Sequence, residues 1–194
     1  MRWFRQPFQN RWMMAGLLVV LTLSSGCQKD VVHQRSIAEL NQKAQIMMQN
    51  GDIDGAIARL EAAHDLEPDE PNTLHNLAIA YQTKGDYDKA ITLFTQLMSK
   101  PGTDKAELYK ALGVTYEAKA DQLEGQAKEA EAAPKADKTK VQQLSQQSEE
   151  AYNQALASYQ QAVANGLKAP GDVQKQIEAL EARKKNPAGG LQNP

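Results

Sequence analysis

The 194-residue chain has one cysteine, Cys27, so no disulfide can close within it. Aromatic residues make up only 6 %, too few to suggest a surface that stacks on glycans. No charge of one sign dominates: the formal net charge is −2, and removing Arg2, Arg5 and Arg11 makes the remainder more acidic, which excludes nucleic acid as a natural partner. There is also no long hydrophobic run. The longest, Met13 to Leu23, falls short of the roughly 20 residues that a membrane-spanning helix needs. Chemical signatures are missing too, since no HExxH, GxSxG or phosphate-loop pattern occurs. The histidines, His33, His64 and His75, never stand four residues apart as a helical metal pair would. His64, beside Asp65 and Glu67, reads as a solvated helix-end cluster. We therefore expect no metal, no cofactor and no catalytic residue.

What is present begins at the N-terminus. Arg2, Arg5 and Arg11 lie in a stretch without acids, an apolar segment follows, and small residues then lead to Cys27. This is the layout of a secretory signal peptide over residues 1–26. The segment Leu23-Ser24-Ser25-Gly26-Cys27 resembles the lipobox of bacterial lipoproteins, with Ser24 where leucine is usual and Leu23 one place earlier. The resemblance implies cleavage before Cys27 and lipidation of Cys27, which becomes the membrane anchor. Two or three acyl chains on one residue hold firmly, whereas one chain binds only marginally. In that family the residue after the cysteine directs sorting. Here it is Gln28, which implies the periplasmic side of the outer membrane if the host has two membranes. Residues 27–35 are polar and read as a flexible tether.

Beyond the tether, abundant Ala, Gln, Lys and Glu favour helix throughout. Asn50-Gly51-Asp52-Ile53-Asp54-Gly55-Ala56-Ile57 returns as Lys84-Gly85-Asp86-Tyr87-Asp88-Lys89-Ala90-Ile91, a spacing of 34 residues. Leu40 aligns with Leu74, Ala44 with Ala78, Met47 with Tyr81, Leu60 with Phe94 and Ala63 with Leu97. Pro68 closes the first unit and Pro101, one place early, the second. Small residues at Ala44, Ala56, Ala78 and Ala90 allow antiparallel helices to approach, while Leu60 and Phe94 fill the space between units. Gly51 and Gly85 suit helix ends, and Asp52 and Asp86 suit the caps that follow. Tyr109, Leu112, Gly113 and Tyr116 repeat the first-helix pattern a third time after a one-residue slip. Tyr152, Ala155, Tyr159 and Ala162 carry the second-helix spacing, about 30 residues later than the period requires.

On these residues the chain resembles the tetratricopeptide-repeat family, and the expected fold is all-α: a solenoid of antiparallel helix pairs. Its units are 37–70, 71–105 and 106–168, within a domain over 36–185. An insertion over 121–150 lengthens the third hairpin, with its tip at Ala133-Pro134-Lys135-Ala136-Asp137. Leu123, Val141 and Leu144 are nearly its only large apolar residues, so it reads as a thin, solvated projection with little core. Residues 172–185, with Val173, Ile177 and Leu180 on one face, form the cap a solenoid needs. Residues 186–194 form a disordered tail.

In this family the first helix of each pair lines a concave groove. Carried over, that assigns the groove to Asn41, Gln45 and Met48, then His75, Asn76, Ile79 and Gln82, then Lys110 and Val114. Such a lining of amides and aliphatics fits a peptide backbone and its side chains. The family's carboxylate-gripping variety is disfavoured. Only Asn76 matches it; Asn41 and Gln45 stand where lysine and asparagine belong, and Glu107 and Ala111 replace the last two basic positions. The resemblance implies a lipid-anchored scaffold for an envelope protein or peptide segment, as in secretion, pilus or outer-membrane assembly or the recruitment of an envelope enzyme. A structural subunit of an envelope complex, an envelope enzyme and a glycan-binding protein are the alternatives.

Overall fold

The computed structural model describes residue 34 and residues 36–185. Cys27, the signal segment 1–26, His33, nearly all of the tether 27–35 and the tail 186–194 lie outside the described residues. Among the described residues there are seven helices and no strand: α1 (36–49), α2 (Ile53–Leu66), α3 (Pro71–Lys84), α4 (Tyr87–Met98), α5 (Lys105–Ala132), α6 (Lys138–Ala164) and α7 (Gly171–Lys185). From α2 onward each helix packs on the next in sequence. The architecture is the expected all-α array of antiparallel helix pairs.

Matched turns set the pairs. Gly51 and Gly85 sit at φ of 81° and 90°, in the left-handed region where a side chain is costly. In both turns the next amide closes the helix end: Asp52 N–H donates to Met47 O and Asp86 N–H to Tyr81 O, each at 2.9 Å. The two caps then differ. Asp52 accepts the Gly55 N–H at 2.9 Å, whereas Asp86 makes no side-chain cap bond and lies 3.8 Å from Lys89. At α3 the cap is Glu70 followed by Pro71 at the first helical position, where a missing N–H costs nothing.

Inside α1 to α4, the small residues Ala44, Ala56, Ala78 and Ala90 are fully buried, and Leu60, Leu74 and Phe94 fill the space they leave. Each large side chain so buried contributes about 1.5–3 kcal/mol. The third pair is built differently. At 28 residues, α5 is about 42 Å long against about 21 Å for the 14-residue α3. Gly113, Ala120 and Ala127 recur every seventh position and are buried, as are Val141, Ser148, Ala155 and Ala162 on α6. Small residues at coiled-coil spacing bring the two backbones close, and Ser148 Oγ donates directly to Ala120 O at 2.9 Å. The hairpin therefore has a continuous core seam where large apolar residues alone suggested little. At its base, a Cβ on Gly113 would lie 2.5 Å from Tyr159 Cδ1, so glycine is what lets that ring seat at 1 % exposure. Val173, Ile177 and Leu180 of α7 join Tyr159 and Ala162 in a second core cluster, and the rest of α7 is largely exposed.

Candidate functional site

The first helices α1, α3 and α5 are joined side by side through polar bonds. Asn76 Nδ2 donates to Asn41 Oδ1 at 2.9 Å, Asn41 Nδ2 to Thr73 Oγ1 at 2.8 Å, and Thr73 Oγ1 to Glu70 Oε2 at 2.6 Å. This relay runs from α1 into the cap of α3. Burial pushes the Glu70 carboxyl up, but the hydrogen bonds from Thr73 and Asn72 outweigh it and hold the group below the ordinary carboxylate range. Between α3 and α5, Gln82 Nε2 donates to Thr115 Oγ1 at 3.0 Å, and Thr115 in turn donates to Ala111 O at 2.7 Å.

These bonds sort the residues the sequence assigned to the groove. Asn41 is buried, and its amide is engaged by Asn76, Thr73 and the Ile37 carbonyl, so it works as a joint between helices. Asn76 and Gln82 are half-buried and carry the same joints. Gln45 and His75 are exposed, and the His75 ring meets Phe94 edge-on at 6.1 Å. Met48 and Ile79 are half-buried against the first core cluster. Lys110 is half-buried and pairs with Glu107 at 3.2 Å. Val114 is 44 % exposed, a large aliphatic left open to solvent. The structure thus joins Asn41 to Asn76 directly. Gln45, His75 and Val114 remain separate exposed positions on the same set of first helices.

Sequence reasoning missed Thr73, Thr115 and Glu70, because a threonine inside a helix gives no local sign that a neighbouring helix will bond it. It also missed a set of tyrosine–carboxylate bonds. Tyr81 donates to Glu61 at 2.5 Å and Tyr159 to Glu117 at 2.7 Å, and Tyr152 Oη lies 2.5 Å from Asp121 and 3.0 Å from Glu124. Burial first, and the adjacent carboxylate second, push the Tyr81 hydroxyl up to about 12 and raise those of Tyr152 and Tyr159 further. All three therefore stay neutral donors. The signal was there to read: Glu117, Asp121 and Glu124 form an acid stripe on α5, opposite two tyrosines seven residues apart on α6.

Glu124 is the hub of a further constellation. It pairs with Lys128 and with Arg183 of α7, each at 2.7 Å, while the Arg183 guanidinium lies 4.0 Å from the Tyr152 ring centroid. The Lys128 bond, with Tyr152 and Arg183 assisting against burial, holds Glu124 below the ordinary carboxylate range. These groups border a cleft of about 220 Å³ between α5, α6 and α7. His64 is half-buried, not fully solvated as the sequence suggested, and its Nδ1 is shielded from water without a hydrogen-bond partner. Among the described residues, no group of three or more His, Cys, Asp or Glu side chains is placed to hold a metal ion. Nor is any helix among them long and apolar enough to cross a membrane.

Residues 47–114 match the tetratricopeptide repeat family. No curated protein sequence matches the chain. Among solved structures the chain is similar to the Sgt2 TPR domain of Aspergillus fumigatus, at 19 % identity and a TM-score of 0.50, over 81 % of this chain and 85 % of that one. It is also similar to pilF of Pseudomonas aeruginosa, at 16 % identity and a TM-score of 0.39, over 83 % and 79 % of the two chains. The first likeness shows the fold alone. No enzyme family was found.

Proposed function

Because the chain carries a tetratricopeptide-repeat domain, a scaffold for protein–protein interaction, we propose that it is a lipid-anchored adaptor of the bacterial cell envelope, holding a partner protein or peptide segment on the face formed by α1, α3 and α5. The observation that carries this reading is the character of that face. Its joints are amides and hydroxyls already bonded to one another, and its open positions are Gln45, His75 and Val114, with Met48 and Ile79 partly exposed beside them. Its one nearby cation among these positions, Lys110, is neutralised by Glu107. A face of this kind recognises an uncharged, partly aliphatic segment by contact area and shape, and its affinity depends little on salt. Anchoring is supported by the signal-peptide layout of residues 1–26 and the lipobox-like segment ending at Cys27. Gln28 favours the periplasmic side of the outer membrane where the host has one.

The test is affinity capture from native envelopes with full-length wild type and with Val114→Asp, at low and high salt. The reading expects a partner retained by wild type at both salt concentrations and lost by the aspartate variant. A partner that washes off with salt, or that ignores Val114→Asp, removes this face as the binding site. In the same preparations Cys27→Ser should abolish an acyl mass increment and release the protein from membranes. An unchanged membrane fraction without any increment on the wild type would remove the anchor.

A further inference from the structure

The cleft between α5, α6 and α7 shares α5 with the first-helix face but is lined by none of the residues assigned to that face, and it has a built form. It lies where the last described turn of α7 meets α5 and α6 partway along their length. Its walls are apolar, from Ala127, Leu156, Leu180 and the Tyr152 ring. Its polar edge is held in place before anything binds, because Arg183 is stacked on Tyr152 and bonded to Glu124, which also holds Lys128. A preorganised edge lowers the ordering cost of binding. At about 220 Å³ the cleft falls below the roughly 300–1,000 Å³ of small-molecule sites and accepts one or two side chains. That size, apolar within and polar at the rim, is the form of an anchor pocket at a protein interface.

Charge selects the neighbour of the anchor. The last turn of α7 is Arg183-Lys184-Lys185, and Lys184 lines the cleft with no ion-pair partner among the described residues. Glu149 stands on the α6 side, so the two walls differ in sign and fix a direction. We infer that this cleft is a second protein-docking site, taking a bulky aliphatic or aromatic side chain of a partner segment whose adjacent acidic residue meets Lys184. With one site on the first-helix face and another here, the scaffold holds two segments at once.

The proposal is tested by NMR titration of full-length, methyl-labelled protein in detergent. The probe is the blocked peptide acetyl-Leu-Phe-Asp-Asp-amide, compared with its Asn-Asn counterpart and with acetyl-Gly-Gly-Asp-Asp-amide. Saturable shifts at the Leu156 and Leu180 methyls are expected with the first peptide, weakened about threefold to fivefold in the Asn-Asn peptide and absent with the Gly-Gly peptide. Leu156→Glu should abolish the shifts. Lys184→Glu, at an exposed position that leaves the fold intact, should weaken binding by a similar threefold to fivefold, while Val114→Asp should leave it unchanged. No saturable shift at Leu156 and Leu180, equal binding of the Asn-Asn peptide, or shifts confined to Ile79 and Val114 would each overturn it. Because Val114→Asp is the variant that tests the first-helix face, failure there and failure here are distinguishable.

Discussion

The two short repeats and the long third hairpin use the same helix-pair plan with opposite packing chemistry. In α1 to α4 the core is made by size contrast, alanines opposite Leu60, Leu74 and Phe94, and neighbouring first helices are registered by the relay Asn76–Asn41–Thr73–Glu70. In α5 and α6 it is made by smallness, with Gly113, Ala120 and Ala127 facing a partner helix of Val141, Ser148 and Ala155. The first arrangement seats wedges at fixed intervals, and the second builds a narrow rod that can project without large apolar residues. The difference shows that length outside the repeat need not mean looseness.

Four substitutions test this contrast. Phe94→Ala removes the fully buried wedge and should cost about 3–5 kcal/mol, read from chemical denaturation. A smaller loss would mean that the repeats collapse around the cavity. Gly113→Val forces a branched side chain into the Tyr159 ring and should cost about 3 kcal/mol, the upper end of overpacking. Were the hairpin loosely packed, the same change would be near neutral, since glycine inside a helix is itself unfavourable by about 1 kcal/mol relative to alanine. Asn41→Ala strips the relay of its centre, leaves Thr73 and Asn76 short of partners, and should cost about 1–3 kcal/mol. Glu70→Gln should have the smallest effect at neutral pH, about 1 kcal/mol or less, but a pH signature. Because the folded-state pKa of Glu70 lies below its ordinary 4.5, its contribution is complete above that value and is lost as pH falls through the folded pKa. The variant should therefore show a shallower loss of stability on acidification than the wild type.

How much of this was legible in the sequence follows the same division. The 34-residue spacing, the left-handed glycines and the wedge positions Leu60 and Phe94 were readable because large residues and glycines at fixed period have a single geometric meaning. The seam of the third hairpin was not, because Gly, Ala and Ser at seven-residue spacing carry too little hydrophobicity to register as an apolar stripe, although their burial is as complete. At the candidate site the first helices were readable from the family pattern, but Asn41 was not separable from Gln45. Whether an amide faces a ligand or a neighbouring helix depends on Thr73, 32 residues away. The C-terminal cleft was hidden for the same reason, since Arg183 finds Glu124 across 59 residues.

A partner in the envelope is expected on the first-helix face and not on the second helices α2 and α4. The most direct measurement is photocrosslinking in native envelopes with full-length protein carrying a photoreactive residue at Val114, at Ala58 on α2 or at Lys89 on α4, all three exposed. One protein should be captured at Val114 and absent at Ala58 and Lys89. Equal capture at all three positions, or capture only at Ala58 or Lys89, would overturn the assignment.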